Sequence, residues 1–369
     1  MDRRRFVKNS VIASAGLVVG SSVGCTKSGG DSAAVHTQKK IRWNLASSFP
    51  KSLDVLYGAA EVMAKRVDEL TDGNFQIRTY EAGKMGPALE VLDSVRKRAV
   101  DIGHTASYYY IGKHPALAFD AAVPFGLSAR QQLAWTEQAG GRELIDELFA
   151  DFNIMTLTGG NTGVQMGGWF RNPVNSLQDL KGLKMRIPGV GGEVMARLGV
   201  TVQVLPGGEI YLSLERGAID ATEWVGPYDD KKLGFHKVAK NYYYPGWWEP
   251  GPALSFYVNR DAWKELPSSY QAALRAASAE ASLGMMSLYD AKNPAALQEV
   301  LATGVKLRAF PDDIMAAARA ESAAYVNEKA AANASYRKVY EHWSKFRDES
   351  SKWFATSETA YAAFAYRQG

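Results

Sequence analysis

The chain has 369 residues, of which 46% are hydrophobic and 22% are charged. This composition is typical of a globular protein with a substantial core, and the length favours two lobes. The formal net charge of +4 falls to about +1 once the basic first 24 residues are set aside, so a nucleic-acid partner is not expected.

The N-terminus has the pattern of an export signal. Adjacent arginines at residues 3–5 precede Phe6 and a short apolar stretch at 11–20, which is too short to span a bilayer. We predict a twin-arginine-type signal over residues 1–24, a polar spacer over 25–40, and a periplasmic location. The alternative, a basic surface helix followed by a core helix, fits poorly because glycine and serine recur through the segment.

Cys25 is the only cysteine of the chain, so neither an internal disulfide nor a multi-thiolate metal site can form. Its place at the end of the signal is typical of the lipid-modified cysteine of bacterial lipoproteins. However, Ser22 stands where such proteins usually carry an aliphatic residue. Lipidation of Cys25 and its removal with the signal therefore remain alternatives.

The segment that follows alternates strand and helix patterns, which predicts an α/β lobe with a largely parallel sheet. We assign this first lobe to residues 41–160, with later segments returning to it. Its predicted strands are 41–46, 75–80 and 100–104, and its predicted helices are 52–70 and 89–99.

A second α/β lobe is predicted for residues 161–250, with a crossover segment and C-terminal helices over 251–369. The helical patterns after residue 263 are alanine-rich, with interruptions at Pro294 and Pro311, and residues 316–364 are almost continuously helical in pattern. The second run of predicted strands is 154–157, 165–170, 184–187, 201–204 and 221–225, with helices at 192–198 and 210–217 and a helix start at 176–180.

Polar side chains lie where predicted strands meet glycine and proline turns, the usual place for small ligands in two-lobed α/β proteins. Arg186 precedes Pro188, and a planar guanidinium can hold a carboxylate with two parallel hydrogen bonds. A surface ion pair is the alternative for Arg186. Glu223, Glu249 and the Gln165 amide offer hard oxygen ligands for Ca²⁺, Na⁺ or a similar cation, although charged loop residues are more often only solvated.

Three longer motifs make the chain recognisable: residues 162–171, 220–230 and 244–249. They resemble the extracytoplasmic solute receptors of tripartite ATP-independent periplasmic (TRAP) transporters, and in particular the branch that binds 2-oxo acids. The resemblance extends from residues 43–50 through 108–110 into the C-terminal helices. It implies a two-lobed α/β fold like that of periplasmic binding proteins, with a long helix bracing both lobes and a helical C-terminus.

The resemblance also implies roles for individual residues. Gln165, Arg186 and Trp224 match substrate-holding positions. Gln165, Glu223, the Trp224 backbone carbonyl and Glu249 match cation ligands. A sodium-driven pair of membrane permease subunits and a dimer that exchanges C-terminal helices are further implied, although helices over 316–364 suit a monomer equally well.

Other polar and aromatic residues give weaker signals. Asn161 could donate an amide hydrogen bond to substrate or could simply form the turn before Gly163. Tyr108, Tyr109 and Tyr110 could wall the cleft, although aromatic clusters more often serve packing.

The sequence contains no nucleophile elbow, zinc-helix motif or histidine–carboxylate constellation, so we expect a binding protein rather than an enzyme. A cation-dependent lyase or decarboxylase acting on a 2-oxo acid is the enzymatic alternative, because it would use the same chelation. A sensor that presents its ligand to a receptor would look identical in sequence. The preferred 2-oxo or 2-hydroxy acid and the identity of the cation stay open.

Overall fold

The computed structural model describes residues 39–366. The predicted signal at 1–24 and the spacer up to residue 38 lie outside the described residues. The described chain forms two β-sheets surrounded by helices. The strands are β1 (Ile41–Ser47), β2 (Phe75–Tyr80), β3 (Ile102–Thr105), β4 (Ile154–Asn161), β5 (Trp169–Phe170), β6 (Lys184–Arg186), β7 (Thr201–Gln203), β8 (Ala221–Thr222), β9 (Asn241–Tyr244), β10 (Ala253–Asn259) and β11 (Lys306–Ala309).

The first sheet has the strand order β2-β1-β3-β10-β4. As predicted, β1 pairs in parallel with β2 and with β3. The sheet is nevertheless mixed and not largely parallel, because β10 lies antiparallel between β3 and β4. The sequence analysis did not identify β10, the strand by which the chain returns from the second sheet to the first. It also grouped β4 with the strands of the second lobe.

The second sheet has the order β11-β9-β5-β8-β6-β7. The strand predicted at 165–170 is reduced to Trp169–Phe170. Gly168 takes a left-handed conformation with φ of 83°, which ends the extended run. The residues before it bond to other loops: Gln165 N–H donates to the carbonyl of Glu249, and Met166 N–H to that of Val225. Gln165 is therefore held between two other segments of the chain.

Fourteen α-helices cover the two sheets in the described part of the chain. A π-helical turn at Ala355–Thr359 joins the last two of them. The helices are α1 (Leu56–Leu70), α2 (Val91–Arg96), α3 (Ala118–Ala121), α4 (Ala129–Gln138), α5 (Gly141–Ala150), α6 (Gly189–Arg197), α7 (Gly207–Glu215), α8 (Pro227–Leu233), α9 (Phe235–Val238), α10 (Arg260–Lys264), α11 (Ser268–Leu301), α12 (Asp312–Ala332), α13 (Ala334–Phe354) and α14 (Ala360–Ala365).

The longest helix, α11, spans 34 residues and runs through Pro294. The predicted interruption at Pro294 is therefore wrong. A proline inside a helix removes one backbone hydrogen bond, and here the packing of the helix outweighs that loss. α11 contacts α1 and β4 of the first sheet and α8, which follows a strand of the second. It is the long helix that braces both sheets.

Apolar side chains are buried on both faces of the sheets, as expected for helices packed on each side. β5 shows the alternation. Trp169 belongs to the apolar cluster that includes residues of α1 and α11, whereas Phe170 belongs to the cluster that includes residues of α6, α12 and α13. None of the helices within residues 39–366 is both long enough and apolar enough to cross a membrane.

His104 of β3 is a fully buried, titratable residue inside the first sheet. Its Nε2 lies 3.0 Å from the carbonyl oxygen of Gly159, and its ring contacts those of Phe49 and Phe256. Burial lowers the pKa of His104 to about 4, against the opposing effect of the Gly159 carbonyl. Native His104 is thus neutral near neutral pH.

We expect His104 to make stability pH-dependent. The unfolded chain binds a proton at His104 near pH 6.5, while the native chain does so only near pH 4. Between these values the unfolded state holds more protons, so stability falls as the pH is lowered, by about 3 kcal/mol in total. Denaturant unfolding of the parent and of His104→Gln from pH 7.5 to pH 4 measures the effect. Other buried acids titrate in both proteins, so the informative quantity is the difference in unfolding free energy between the parent and His104→Gln. A difference that does not change with pH would contradict the assignment.

Candidate functional site

A small cavity lies between loops of the two sheets. The second-sheet side supplies its polar groups from segments that lead into or follow strands. The first-sheet side supplies mainly aromatic and aliphatic groups. The lining residues are Phe49, Leu56, Tyr108, Tyr109, Thr162, Gln165, Arg186, Glu223, Trp224, Val225 and Leu254.

Arg186 ends β6 and is 1% exposed. β6 pairs in parallel with β8, with Arg186 opposite Thr222, so the next residue, Glu223, lies beside the guanidinium. Nη1 of Arg186 forms an ion pair with Oε1 of Glu223, and Nε donates to the carbonyl of Leu205 at 3.0 Å. Arg186 thus forms an ion pair, but a buried one at the cavity. The alternative, an ion pair on the surface, does not describe it.

The aromatic ring of Trp224 packs on the guanidinium, with 5.0 Å between the Arg186 Cζ and the ring centroid. Gly207 makes this position possible, because a Cβ atom there would lie 2.5 Å from the indole. Burial alone would lower the pKa of Arg186, but the attraction of Glu223 raises it above its ordinary value. Arg186 therefore stays positively charged.

Two buried carboxyl groups accompany this one arginine. Burial raises the pKa of Glu223 to about 7 against the attraction of Arg186. Burial, with repulsion from Glu223 as the second cause, raises the pKa of Glu249 well above its ordinary value. Both carboxyl groups therefore gain from a further positive charge, which would favour their ionised forms.

Several buried polar atoms around the cavity have no hydrogen-bond partner among the described residues. Two of them, Arg186 Nη2 and Gln165 Oε1, belong to lining residues. The third, Glu249 Oε2, belongs to a residue outside the lining that interacts with Glu223 and Arg186. Buried polar groups are normally hydrogen-bonded, so their concentration here indicates a site for a ligand. The nitrogen can donate to an anion, and the oxygens can bind a cation.

The residues predicted to bind a cation fit a hard ion. Gln165, Glu223 and Glu249 provide amide and carboxylate oxygens, the ligand type that Na⁺ and Ca²⁺ prefer. Trp224 follows Glu223 directly, so its backbone carbonyl is close in the chain to one of these carboxylates. Within residues 39–366, no three His, Cys, Asp or Glu side chains are grouped to hold a metal. A cation here would depend on two carboxylates and neutral oxygens.

Asn161 is not among the residues that line this cavity. Its Nδ2 donates to the carbonyl of Gly251 at 3.0 Å, and its Oδ1 accepts from Gly163 N–H at 2.8 Å. It also lines a separate, larger cavity beside α4 and α11. These bonds are those of the turn former that the sequence analysis gave as the alternative to a substrate contact.

Tyr108 and Tyr109 wall the cavity from the first-sheet side. Tyr108 approaches the start of α6, where Gly189 has a φ of 66° and a Cβ atom would lie 3.0 Å from that of Tyr108. Only glycine permits both this conformation and this contact. Tyr110 points elsewhere, since its hydroxyl bonds with Thr105 at 2.8 Å.

The sequence analysis did not single out four apolar residues of the wall, Phe49, Leu56, Val225 and Leu254. Phe49 and Val225 lay within recognised motifs, but no spacing rule marked them as wall residues. Asp230 lies at the end of the motif 220–230, but the sequence analysis did not predict that its hydrogen bonds stabilise the site. Oδ2 of Asp230 accepts from Trp169 Nε1 at 2.9 Å and from the Tyr242 hydroxyl at 2.7 Å, while Oδ1 accepts from Val225 N–H at 3.3 Å. This network fixes the segment that carries Glu223 and Trp224.

Comparison with known proteins agrees with the resemblance seen in the motifs. Residues 46–333 match the DctP family, described as bacterial extracellular solute-binding protein, family 7. The chain is also 51% identical over 365 residues, covering 99% of each protein, to the monocarboxylate 2-oxoacid-binding periplasmic protein of Nostoc sp..

Two crystal structures show the same fold. A TRAP transporter solute-binding protein of Bordetella bronchiseptica RB50 is 45% identical with a TM-score of 0.88, over 90% of this chain and 100% of that one. It is a mixed-occupancy dimer with copurified calcium and picolinate in one active site and an apo second site. A TRAP periplasmic solute-binding protein of Pseudoalteromonas atlantica, which holds sodium and pyruvate, is 40% identical with a TM-score of 0.85, over 88% and 99% of the two chains. The predicted fold class is confirmed.

Proposed function

Because the chain belongs to the DctP family of bacterial extracellular solute-binding proteins, we propose that it is the solute receptor of a TRAP transporter and binds a short 2-oxo acid together with a cation. One observation carries this proposal. Among the described residues, the cavity wall holds an unpartnered guanidinium nitrogen of Arg186 and an unpartnered amide oxygen of Gln165. A third unpartnered atom, Glu249 Oε2, belongs to a buried carboxyl group that interacts with Glu223 and Arg186 of that wall. That set is complementary to a carboxylate and a cation bound side by side.

Arg186 is the carboxylate clamp in this proposal. In the structure its Nη1 is paired with Glu223, while Nη2 has no partner among the described residues. When a ligand carboxylate takes the guanidinium in a two-pronged contact, Glu223 loses its counter-charge. An uncompensated buried carboxylate costs several kcal/mol, so Glu223 then requires another positive charge.

The cation supplies that charge and ties the oxygens to the ligand. We assign Gln165, Glu223, Glu249 and the Trp224 backbone carbonyl as its protein ligands. A 2-oxo acid adds a carboxylate oxygen and a keto oxygen, which can chelate the same ion. The cation is sodium or calcium, since the ligand set is all oxygen and the relatives hold these ions.

We propose that the two sheets form lobes that close around the ligand. Residues 41–160, with returning segments such as β10, form the first lobe, and residues 161–250 form the second. Residues 251–369 carry the crossover and the C-terminal helices. The chain passes between lobes beside the site, at the segment that carries Glu249.

The family consists of solute-binding proteins and not of enzymes, which excludes the lyase or decarboxylase reading. The receptor delivers its ligand to the membrane subunits of a TRAP permease. A sensor that presents ligand to another receptor is the remaining alternative. Genes for a large and a small membrane subunit beside this one would favour transport.

We further propose that the chain reaches the periplasm by a twin-arginine-type signal at 1–24. A lipid on Cys25 would hold the receptor at a membrane, and removal of Cys25 with the signal would leave the receptor free to diffuse. Mass spectrometry of the exported protein would identify its first residue and any lipid on Cys25.

Homodimerisation is proposed for the C-terminal helices. Trp353, Tyr361 and Phe364 are 64%, 70% and 79% exposed, which is unusual for a run of large apolar side chains. A second copy of this chain would cover them, and the relative from Bordetella bronchiseptica is a dimer.

Short 2-oxo acids should bind without turnover. Titration calorimetry with pyruvate tests this, and propionate, which lacks the keto oxygen, should bind about tenfold more weakly or worse because one chelating group is missing. Formation of a product from pyruvate would contradict binding without turnover. Failure of every 2-oxo and 2-hydroxy acid to bind would refute the proposed ligand class.

Arg186→Lys should lose about 1.5–3 kcal/mol of pyruvate binding, because an ammonium replaces a two-pronged contact with a point charge of shorter reach. The matched control is Arg171→Lys, an exposed arginine of the same lobe whose Nη1 donates to the Leu214 carbonyl at 2.7 Å. Equal affinity of Arg186→Lys and the parent would place the clamp elsewhere.

Pyruvate and the cation should strengthen each other's binding by the same factor, as linkage requires. Chelation and dialysis into cation-free buffer should weaken pyruvate binding, and the correct ion should restore it. Glu223→Gln and Glu249→Gln should each reduce this coupling, whereas the exposed Glu209→Gln should not. Unchanged pyruvate affinity in both buried variants and in cation-free buffer would contradict the bridging cation.

Sedimentation velocity should show a dimer for the parent chain and a monomer for Trp353→Ala/Phe364→Ala, because the double substitution removes two of the exposed aromatic rings. Glu209→Ala, exposed on α7, is the surface control. A parent that sediments as a monomer at all concentrations would exclude the dimer.

A further inference from the structure

A polar cluster joins the two sides of the cleft just outside the cavity. It consists of Asp54, Tyr228, Lys232 and Lys292. The Tyr228 hydroxyl donates to Asp54 Oδ2 at 3.0 Å, and Lys232 Nζ is paired with Asp54 Oδ1. Lys292 Nζ donates to the same tyrosine hydroxyl at 3.1 Å. Both ammonium groups also lie over the Tyr228 ring, at 4.4 Å and 4.6 Å from its centroid.

The members of this cluster come from different sides of the cleft. Asp54 lies in the segment between β1 and α1, on the first-sheet side. Tyr228 and Lys232 lie on α8, which follows β8 of the second sheet, and Lys292 lies on the bracing helix α11. The contact between Asp54 and α8 is therefore a contact between the proposed lobes.

The cluster is also adjacent to the cavity walls. Leu56 follows Asp54 by two residues, and Val225 precedes Tyr228 by three; both line the cavity. Movement of Asp54 away from α8 would therefore carry Leu56 away from Val225. None of the four cluster residues lines the cavity itself, so their effect on a ligand would be indirect.

We propose that Asp54, Tyr228 and Lys232 form a latch that holds the lobes closed over bound ligand and so sets the rate of ligand release. This inference rests on the proposed function, in which the lobes close around a small carboxylate. Lys292 and Asn293 of α11 anchor the latch, since Asn293 Oδ1 accepts a hydrogen bond from Tyr228 N–H at 3.1 Å. Asp54 and α8 are then the two partners that separate when the latch opens.

The electrostatics suit a contact that opens and closes. Partial burial would raise the pKa of Asp54, but hydrogen bonds from Lys232 and Tyr228 outweigh it and hold the pKa below its ordinary value. Asp54 is thus ionised at neutral pH. Its side chain is 53% exposed and that of Lys232 is 29% exposed, so water and salt reach the pair. Such exposed pairs shift an equilibrium by about fivefold at most.

Ligand dissociation measures the latch directly. We expect Asp54→Asn and Lys232→Met to release pyruvate about two- to fivefold faster in stopped-flow chase experiments, with association nearly unchanged. The double variant should release pyruvate only slightly faster than either single variant, because both substitutions break the same contact. Raising ionic strength with choline chloride should bring the parent rate toward that of Asp54→Asn.

The matched control is Glu265→Gln. It removes an exposed two-pronged ion pair with Arg98. Both residues flank strands of the first sheet, so this pair does not connect the two sides of the cleft. Its release rate should equal that of the parent. Thermal unfolding of every variant shows that a faster release does not arise from loss of folding.

A second measurement does not require the ligand. Spin labels at Lys65→Cys on α1 and Lys237→Cys on α9, in the full chain with Cys25→Ser, report the distance between the two sides. Asp54→Asn should shift the ligand-free distribution toward longer distances, and Glu265→Gln should not. If pyruvate fails to bind the parent, the proposed function is wrong while this distance still tests the latch. Parental release rates together with unchanged distances in Asp54→Asn would overturn the latch.

Discussion

The buried ion pair between Arg186 and Glu223 is the interaction on which the site depends. Strand pairing imposes it, because Arg186 lies opposite Thr222 in the parallel β6–β8 ladder. Neither charge can be left alone inside the protein, since removing one partner of a buried pair costs about 3–5 kcal/mol. In the proposed function, an anion that takes the arginine arrives with a cation for the glutamate. Binding of the two ions is linked by charge balance, and Glu249 adds a second carboxyl group that reinforces the demand for a cation.

Much of this site could be predicted from sequence, because strand ends beside glycine and proline turns mark ligand positions in α/β folds. Arg186 and Glu223 lie at such ends, and the motif resemblance suggested how they combine. Phe49, Leu56 and Leu254 could not be predicted, because an apolar side chain in a wall and one in a core give the same pattern. β10 was missed for a related reason. Its partners β3 and β4 are roughly a hundred residues or more away in the chain, and only tertiary pairing identifies it.

The bracing helix shows where local rules yield to packing. Pro294 predicts a break in α11, yet the helix continues and contacts α1, β4 and α8. The residues just before the proline, Lys292 and Asn293, make side-chain bonds to Tyr228. The helix is thus anchored to the second-sheet side where its own backbone bonding is weakest.

The distribution of polar groups between the lobes explains how strong binding and ready release can coexist. Gln165, Arg186 and Glu223 all belong to the second-sheet side, whereas the first-sheet side contributes chiefly Phe49, Leu56 and two tyrosines. In the proposed closure, the charged clamp is therefore assembled on one lobe before the other meets it. Closure adds an apolar cover that excludes water and strengthens the electrostatic contacts beneath it. Because the proposed latch pair of Asp54 and Lys232 is partly exposed and such pairs are individually weak, its opening leaves the Arg186–Glu223 ion pair intact. Once water re-enters, the same charges hold the ligand less tightly.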